Sequence, residues 1–84
     1  MNVLFTDIGW QDYQYWLATD RAILKRINRL IEECRRTPFE GIGKSEALKH
    51  QLAGYWSRRI TEEHRLVYAV EDAQLVVIAA RHHY

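Results

Sequence analysis

Three stretches of the chain gather side chains suited to proton transfer and phosphate chemistry. The first, SEALKH, holds Glu46, Lys49 and His50. It reads either as a solvated loop with ordinary charges or as a site where Glu46 is a general base and Lys49 holds an anion. The second, SRRITEEHR, holds Arg58, Arg59 and Arg65 around a tight turn. With that turn at Thr61-Glu62-Glu63, Arg59 and Arg65 oppose each other on one face of a hairpin. Like charges so placed repel unless something negative lies between them. Either Glu62 and Glu63 neutralise them in a surface network, or the pair is a phosphate site, which the guanidinium fork fits. The third stretch is RHHY, Arg81 to Tyr84. On a predicted strand His82 and His83 leave opposite faces, which argues against one metal ion bound by both. No H-x-x-x-H, cysteine pair or carboxylate cluster completes a metal set. A lone late imidazole is more often incidental than catalytic, yet its ordinary pKa of ~6.5 suits proton transfer near neutrality. Tyr84 can close the core or stack on a base.

Together these are Glu, Arg and His with extra cations. There is no metal-ligand set and no nucleophilic Ser or Cys arrangement, and no cofactor is called for. That combination suits metal-free RNA cleavage. A base takes the proton of a ribose 2′-OH, and the freed oxygen attacks the adjacent phosphate. A cation holds the developing charge, and an acid protonates the leaving 5′-oxygen.

The elements that must position these groups follow from periodicity. NVLFT reads as a first strand with Val3 and Phe5 on one side, and Thr6 or Asp7 can cap the helix after it. Trp10, Tyr13, Trp16 and Leu17 recur at helical spacing and read as core, although Gly9 weakens the first turn. Thr19-Asp20 supplies a cap for a second helix. There Ile23, Ile27, Leu30, Ile31 and Cys34 form an apolar stripe opposite a charged face. Arg35 and Arg36 complement the helix dipole at its end, and Pro38 stops it. TPFEGIGKSE is the extended loop, flexible at Gly41 and Gly43. AGYWSRRI, HRLVYAVE and QLVVIAARHHY read as three strands with turns at TEE and EDA. The order β-α-α-β-β-β predicts an α+β fold, an antiparallel sheet with two helices on one face and the other face open.

Eighty-four residues make one domain, 1–84, marginal in size. Hydrophobic residues are 48%, with three Trp and five Tyr, which suits a packed globule. The net charge of +1 conceals an asymmetry. Segment 21–36 carries six basic residues against two acidic ones, while segment 1–20 has three Asp and no Lys or Arg. A near-neutral total argues against tight non-specific binding to bare nucleic acid, but leaves a local basic surface. The single Cys34 forbids an internal disulfide and fits a reducing, cytoplasmic setting. No apolar run approaches the ~20 residues of a membrane span, and no signal peptide is expected.

The run RRTPFEGIGKSEALKHQLAGYWSRRITEEHRLVYAV, with the closing RHHY, resembles the YoeB toxins of bacterial toxin–antitoxin systems, within the RelE-like superfamily. The resemblance covers residues 10–84 and implies the RelE-like, microbial-ribonuclease-like α+β domain. It implies ribosome-dependent cleavage of mRNA in the A site, which blocks translation. A YefM-type antitoxin would cover the site, and operator DNA would be bound only by the toxin–antitoxin complex. A homodimer is a further possible assembly. By position, Glu46 matches the general base, Arg65 the phosphate-stabilising residue, His83 the general acid and Tyr84 the terminal aromatic. Lys49, Arg59 and Glu63 match supporting positions. For His83 and Tyr84 both to join Arg65, the end of the last strand must curl, bringing the terminal carboxylate to the site. The alternative class is a non-catalytic module that binds RNA, ribosome or protein through its basic helix and arginine pair.

Overall fold

The computed structural model describes residues 1–82. Its first strand, β1, is Asn2–Phe5, and Thr6 turns the chain into helix α1, Asp7–Thr19. The Thr6 hydroxyl oxygen accepts from the Gly9 N–H at 3.0 Å and its O–H donates to the Ile78 carbonyl at 2.9 Å. One side chain thus caps the helix and ties it to a distant strand. The absence of a side chain at Gly9 lets that approach happen. A Cβ there would stand 2.3 Å from the Val77 carbonyl oxygen. The helix-propensity cost of Gly9 is therefore traded for close packing of α1 on the sheet.

Asp20 ends α1 and begins α2, Arg21–Arg36. Its backbone N–H donates to the Trp16 carbonyl, while its carboxylate accepts from the N–H groups of Ala22 and Ile23. The α2 stripe faces inward, with Leu24, Ile27, Leu30, Ile31 and Cys34 buried. Each buried aliphatic of this kind stabilises by about 1.5–3 kcal/mol. Burial pushes the Cys34 thiol up from its ordinary value, so it stays a neutral packing group. Arg35 and Arg36 in the last turn pair with Glu32 and Glu33 at 3.0 and 2.8 Å.

Four more strands follow: β2 (Glu46–Ala47), β3 (Trp56–Arg59), β4 (Arg65–Glu71) and β5 (Gln74–Ala79), with a 3-10 turn at His50–Leu52. Spatial order is β1-β5-β4-β3-β2. The pairings among β2 to β5 are antiparallel. Alternation sends Leu66, Tyr68, Leu75 and Val77 to the helix side, where they join Trp16 and the α2 stripe in one core. Val3 and Phe5 pack against that core. Asp72 and Ala73 turn β4 into β5 with φ of 51° and 59°. Positive φ at both central residues matches the twist a two-residue hairpin needs. Among the described residues, no helix is long and apolar enough to cross a membrane.

Several expectations change. β1 pairs with β5 in parallel, Asn2 opposite Gln74 through Phe5 opposite Val77, so the sheet is mixed. Gln74–Ala79 is shorter than the predicted last strand, and His82 lies outside it with φ of 58°. Trp10 and Leu17 are exposed, 51% and 37%, because only the Trp16 side of α1 meets the core. Trp10 instead stacks on Tyr13 and meets Phe5 edge-on at the surface. The face away from the helices is not wholly open, since Ser57, Val67 and Ala69 are buried there.

Candidate active site

Register places the candidate groups. Glu46 of β2 lies opposite Ser57 of β3, Ser57 lies opposite Val67 of β4, and Arg59 lies opposite Arg65. Paired residues share a face, and residues two apart on a strand share it too. Glu46, Ser57, Arg59 and Arg65 therefore project from one face of the sheet, the one away from the helices. Glu46 and Arg65 are two strands and two residues apart, about 10 Å across and ~7 Å along. That span leaves room for one phosphodiester between two long side chains.

Arg59 and Arg65 are the opposed like charges that the turn at Thr61-Glu62-Glu63 forecasts. Among the described residues no carboxylate reaches ion-pair distance of either one. Glu63 turns instead toward His64, 3.6 Å from its Nε2. The surface-network alternative is thus not formed, and one Arg65 guanidinium nitrogen is buried with no partner among the described residues. A buried donor without an acceptor costs about 1–3 kcal/mol, a cost that a bound anion removes. Lys49 is exposed just before the 3-10 turn, and Glu63 is exposed in the hairpin turn. His83 and Tyr84 lie outside the described residues.

Arg58 belongs to a different system. It alternates to the helix side and is fully buried. Its guanidinium donates to the carbonyls of Thr37, Glu40 and Ile42 and to the Tyr68 hydroxyl. Tyr68 in turn donates to the Pro38 carbonyl and shares a hydrogen bond with Ser45. One cation thereby gathers the whole 37–45 loop and aims it into β2, which carries Glu46. Burial pushes the Tyr68 phenol up, partly offset by the hydrogen bond from Arg58. Gly43 completes the loop with φ of +81°, and a Cβ there would meet Leu30 at 2.9 Å. Its carbonyl accepts from the Arg59 N–H at 2.7 Å, which fixes the loop to β3.

The segment after β5 is held as firmly. The Ala80 N–H donates to Asp12 Oδ2 at 2.9 Å and the Ala80 carbonyl accepts from Trp16 Nε1 at 2.8 Å. The Arg81 guanidinium lies over the Tyr15 ring, 3.7 Å from its centroid. The His82 N–H donates to His64 Nδ1 at 2.7 Å, and the His82 carbonyl accepts from the Arg65 N–H at 2.9 Å. The strand end therefore bends to β4 at Arg65 through His82, and the expected curl of His83 and Tyr84 lies outside the described residues. Sequence reasoning missed His64, Asp12 and the structural role of Arg58. Only the position of His64 immediately before Arg65 hinted that its ring would oppose Arg65 and face α1.

A family model described as the YoeB-like toxin of bacterial type II toxin–antitoxin systems matches residues 5–84. The chain belongs to this family. Among YoeB-like toxins, it is 60% identical over 84 residues to Toxin YoeB of Escherichia coli strain K12, covering all of both chains. Its fold matches a YoeB/ParE toxin from Agrobacterium tumefaciens with a TM-score of 0.98 at 50% identity, covering all of both chains. It also matches a heterotetrameric YoeB–YefM toxin–antitoxin complex from Staphylococcus aureus, with a TM-score of 0.92 at 42% identity. That match covers 100% of this chain and 98% of the other. The YoeB-like assignment agrees with the α+β class expected from the order of elements.

Proposed function

We propose that this toxin is a ribosome-dependent endoribonuclease that cuts mRNA in the A site by attack of a 2′-OH on the adjacent phosphate. The observation that carries this reading is the shared face of Glu46, Arg59 and Arg65, with the two arginines opposed and unneutralised among the described residues. Glu46 takes the 2′-OH proton, and Arg65 holds the charge that develops on phosphate. His83 protonates the leaving 5′-oxygen, and Tyr84 positions the nucleotide. Lys49, Arg59 and Glu63 support the charge balance around them. Two guanidinium groups supply the charge that a metal otherwise would, so no divalent ion enters the chemical step. The near-neutral total charge suits an enzyme that borrows substrate positioning from the ribosome. Its partner is a YefM-type antitoxin. Cations of α2 without an ion pair among the described residues (Arg21, Lys25 and Arg29) and the site face are its docking surfaces. Together they repress their own operon.

Translation in a purified system, with mapping of mRNA ends, tests the reading. A-site ends bearing cyclic or 3′-phosphate are expected, and they should persist when cobalt hexammine replaces part of the magnesium with ribosomes intact. His83→Gln should slow single-turnover cleavage by ~10²–10⁴-fold, with His82→Gln as the mild control. Intact messages at full ribosome occupancy would instead select a non-catalytic binding module.

A further inference from the structure

The segment Ala80–His82 has no regular secondary structure, yet the N–H and carbonyl of both Ala80 and His82 are bonded. Irregular backbone ordinarily meets water or a chance partner. Here the partners are Asp12 and Trp16 on α1, and His64 and Arg65 at the start of β4. The contact made by His64 differs in kind from the rest. A backbone N–H has been given an imidazole nitrogen as its acceptor, at 2.7 Å. For Nδ1 to accept, it must carry no proton, so the ring is neutral with its proton on Nε2. On the other side Glu63 Oε1 lies 3.6 Å from Nε2, beyond hydrogen-bond distance. The ring itself is wedged. It is 9% exposed and meets Trp16 edge to face, with centroids 4.8 Å apart at 76°. Trp16 uses its own N–H on Ala80, so the indole that braces the imidazole also holds the segment the imidazole binds.

We infer that His64 is a positioning residue whose Nδ1 fixes the backbone of His82, the residue before His83, against β4 beside Arg65. The next backbone group, the His82 carbonyl, is bonded to the N–H of Arg65 itself, whose side chain is the proposed phosphate holder. The proposed phosphate residue and the Ala80–His82 segment are therefore registered to each other through adjacent residues, His64 and Arg65. His64 touches no substrate in this scheme. Its effect passes through the backbone, and it rests on the ribonuclease reading only for its catalytic consequence.

Two readouts separate the pin from that reading. In the ¹⁵N-labelled full chain, a scalar coupling across the hydrogen bond should link the His82 amide to His64 Nδ1, and that amide should exchange slowly. Absence of the coupling with a freely exchanging amide overturns the inference with no variant needed. The second readout compares His64→Asn with His64→Gln. The asparagine oxygen can stand near the Nδ1 place and keep an acceptor there, whereas glutamine places its polar atoms near Nε2. Both lose the Trp16 ring contact. His64→Gln should lose the slow exchange at His82 and lower single-turnover cleavage by ~10²-fold, the scale of a roughly 1 Å misplacement. His64→Asn should stay within several-fold, with ribosome affinity unchanged in both. Equal losses in the two variants would mean that His64 only fills space, and would overturn the inference. Should the unaltered chain cut nothing, the coupling and exchange still decide the pin, while the ribonuclease reading alone fails.

Discussion

Two irregular segments lead to proposed site residues, and they are held in different ways. The 37–45 loop leads to Glu46 and is organised mainly around the buried Arg58 guanidinium, which binds three loop carbonyls and Tyr68, with Gly43 tied to β3 besides. The 80–82 segment leads to His83 and is held from several points, by Asp12, Tyr15, Trp16, His64 and Arg65. A centred hold is strong but fails at one residue. A distributed hold weakens by steps, because each contact is worth only ~0.5–1.5 kcal/mol net. The side that carries the proposed base should therefore be brittle, and the side that leads to the proposed acid graded.

The largest expected effect comes from Arg58→Met. It keeps apolar bulk but leaves the carbonyls of Thr37, Glu40 and Ile42 without their donor. Unfolding in urea should show a loss of about 3–5 kcal/mol, and cleavage should fall with it as Glu46 loses its aim. A loss below ~1 kcal/mol would show that the loop is held by something other than this cation. Trp16→Phe should be milder, about 1–2 kcal/mol, since it removes the donor to Ala80 but keeps most of the ring. Thermal unfolding and exchange at Ala80 and His82 check whether the remaining contacts keep the segment in place. The smallest effect is with pH. Burial raises both Tyr68 and Cys34, so the folded chain keeps protons that the unfolded chain sheds. Stability is complete below their ordinary values, ~8.5 for thiol and ~10 for phenol, and declines as pH rises through and beyond them. Urea midpoints between neutrality and pH 10.5 should fall, and Tyr68→Phe should flatten the slope.

The sequence announced what local chemistry decides. Thr6 and Asp20 cap where their side chains allow, the α2 stripe buries as its spacing demands, and the three-residue turn sets Arg59 opposite Arg65. It was silent where a partner far along the chain decides. β1 reads as a strand, but nothing within it says that β5 lies beside it in parallel. Apolar spacing on α1 does not say how far the sheet extends beneath it, so Trp10 reads as core and lies in solvent. Nothing in the sequence marks Arg58 for burial, since charge is rarely buried alone, and the three converging carbonyls with the Tyr68 hydroxyl make its burial tolerable. The candidate base and phosphate residues were legible from their types and the resemblance. The side chains that aim them were not, because aiming depends on which backbone passes nearby.

The parallel pairing of β1 with β5 bears on the order in which the protein can come into being. Residues 2–5 are made before every other strand of the sheet, yet their hydrogen-bonded neighbour is residues 74–77, the strand made after the other four. Through nearly all of synthesis, β1 must wait unpaired while the helices and the β3–β4 hairpin form from nearer contacts. Long-range closure of this kind is slow because its entropy is spent before any contact rewards it. A partly made chain therefore lacks one edge of its sheet and the segment beyond Ala79 together. For a protein proposed to cut messages on the ribosome, vectorial synthesis delays assembly of the proposed site until β5 and the segment after it have been made.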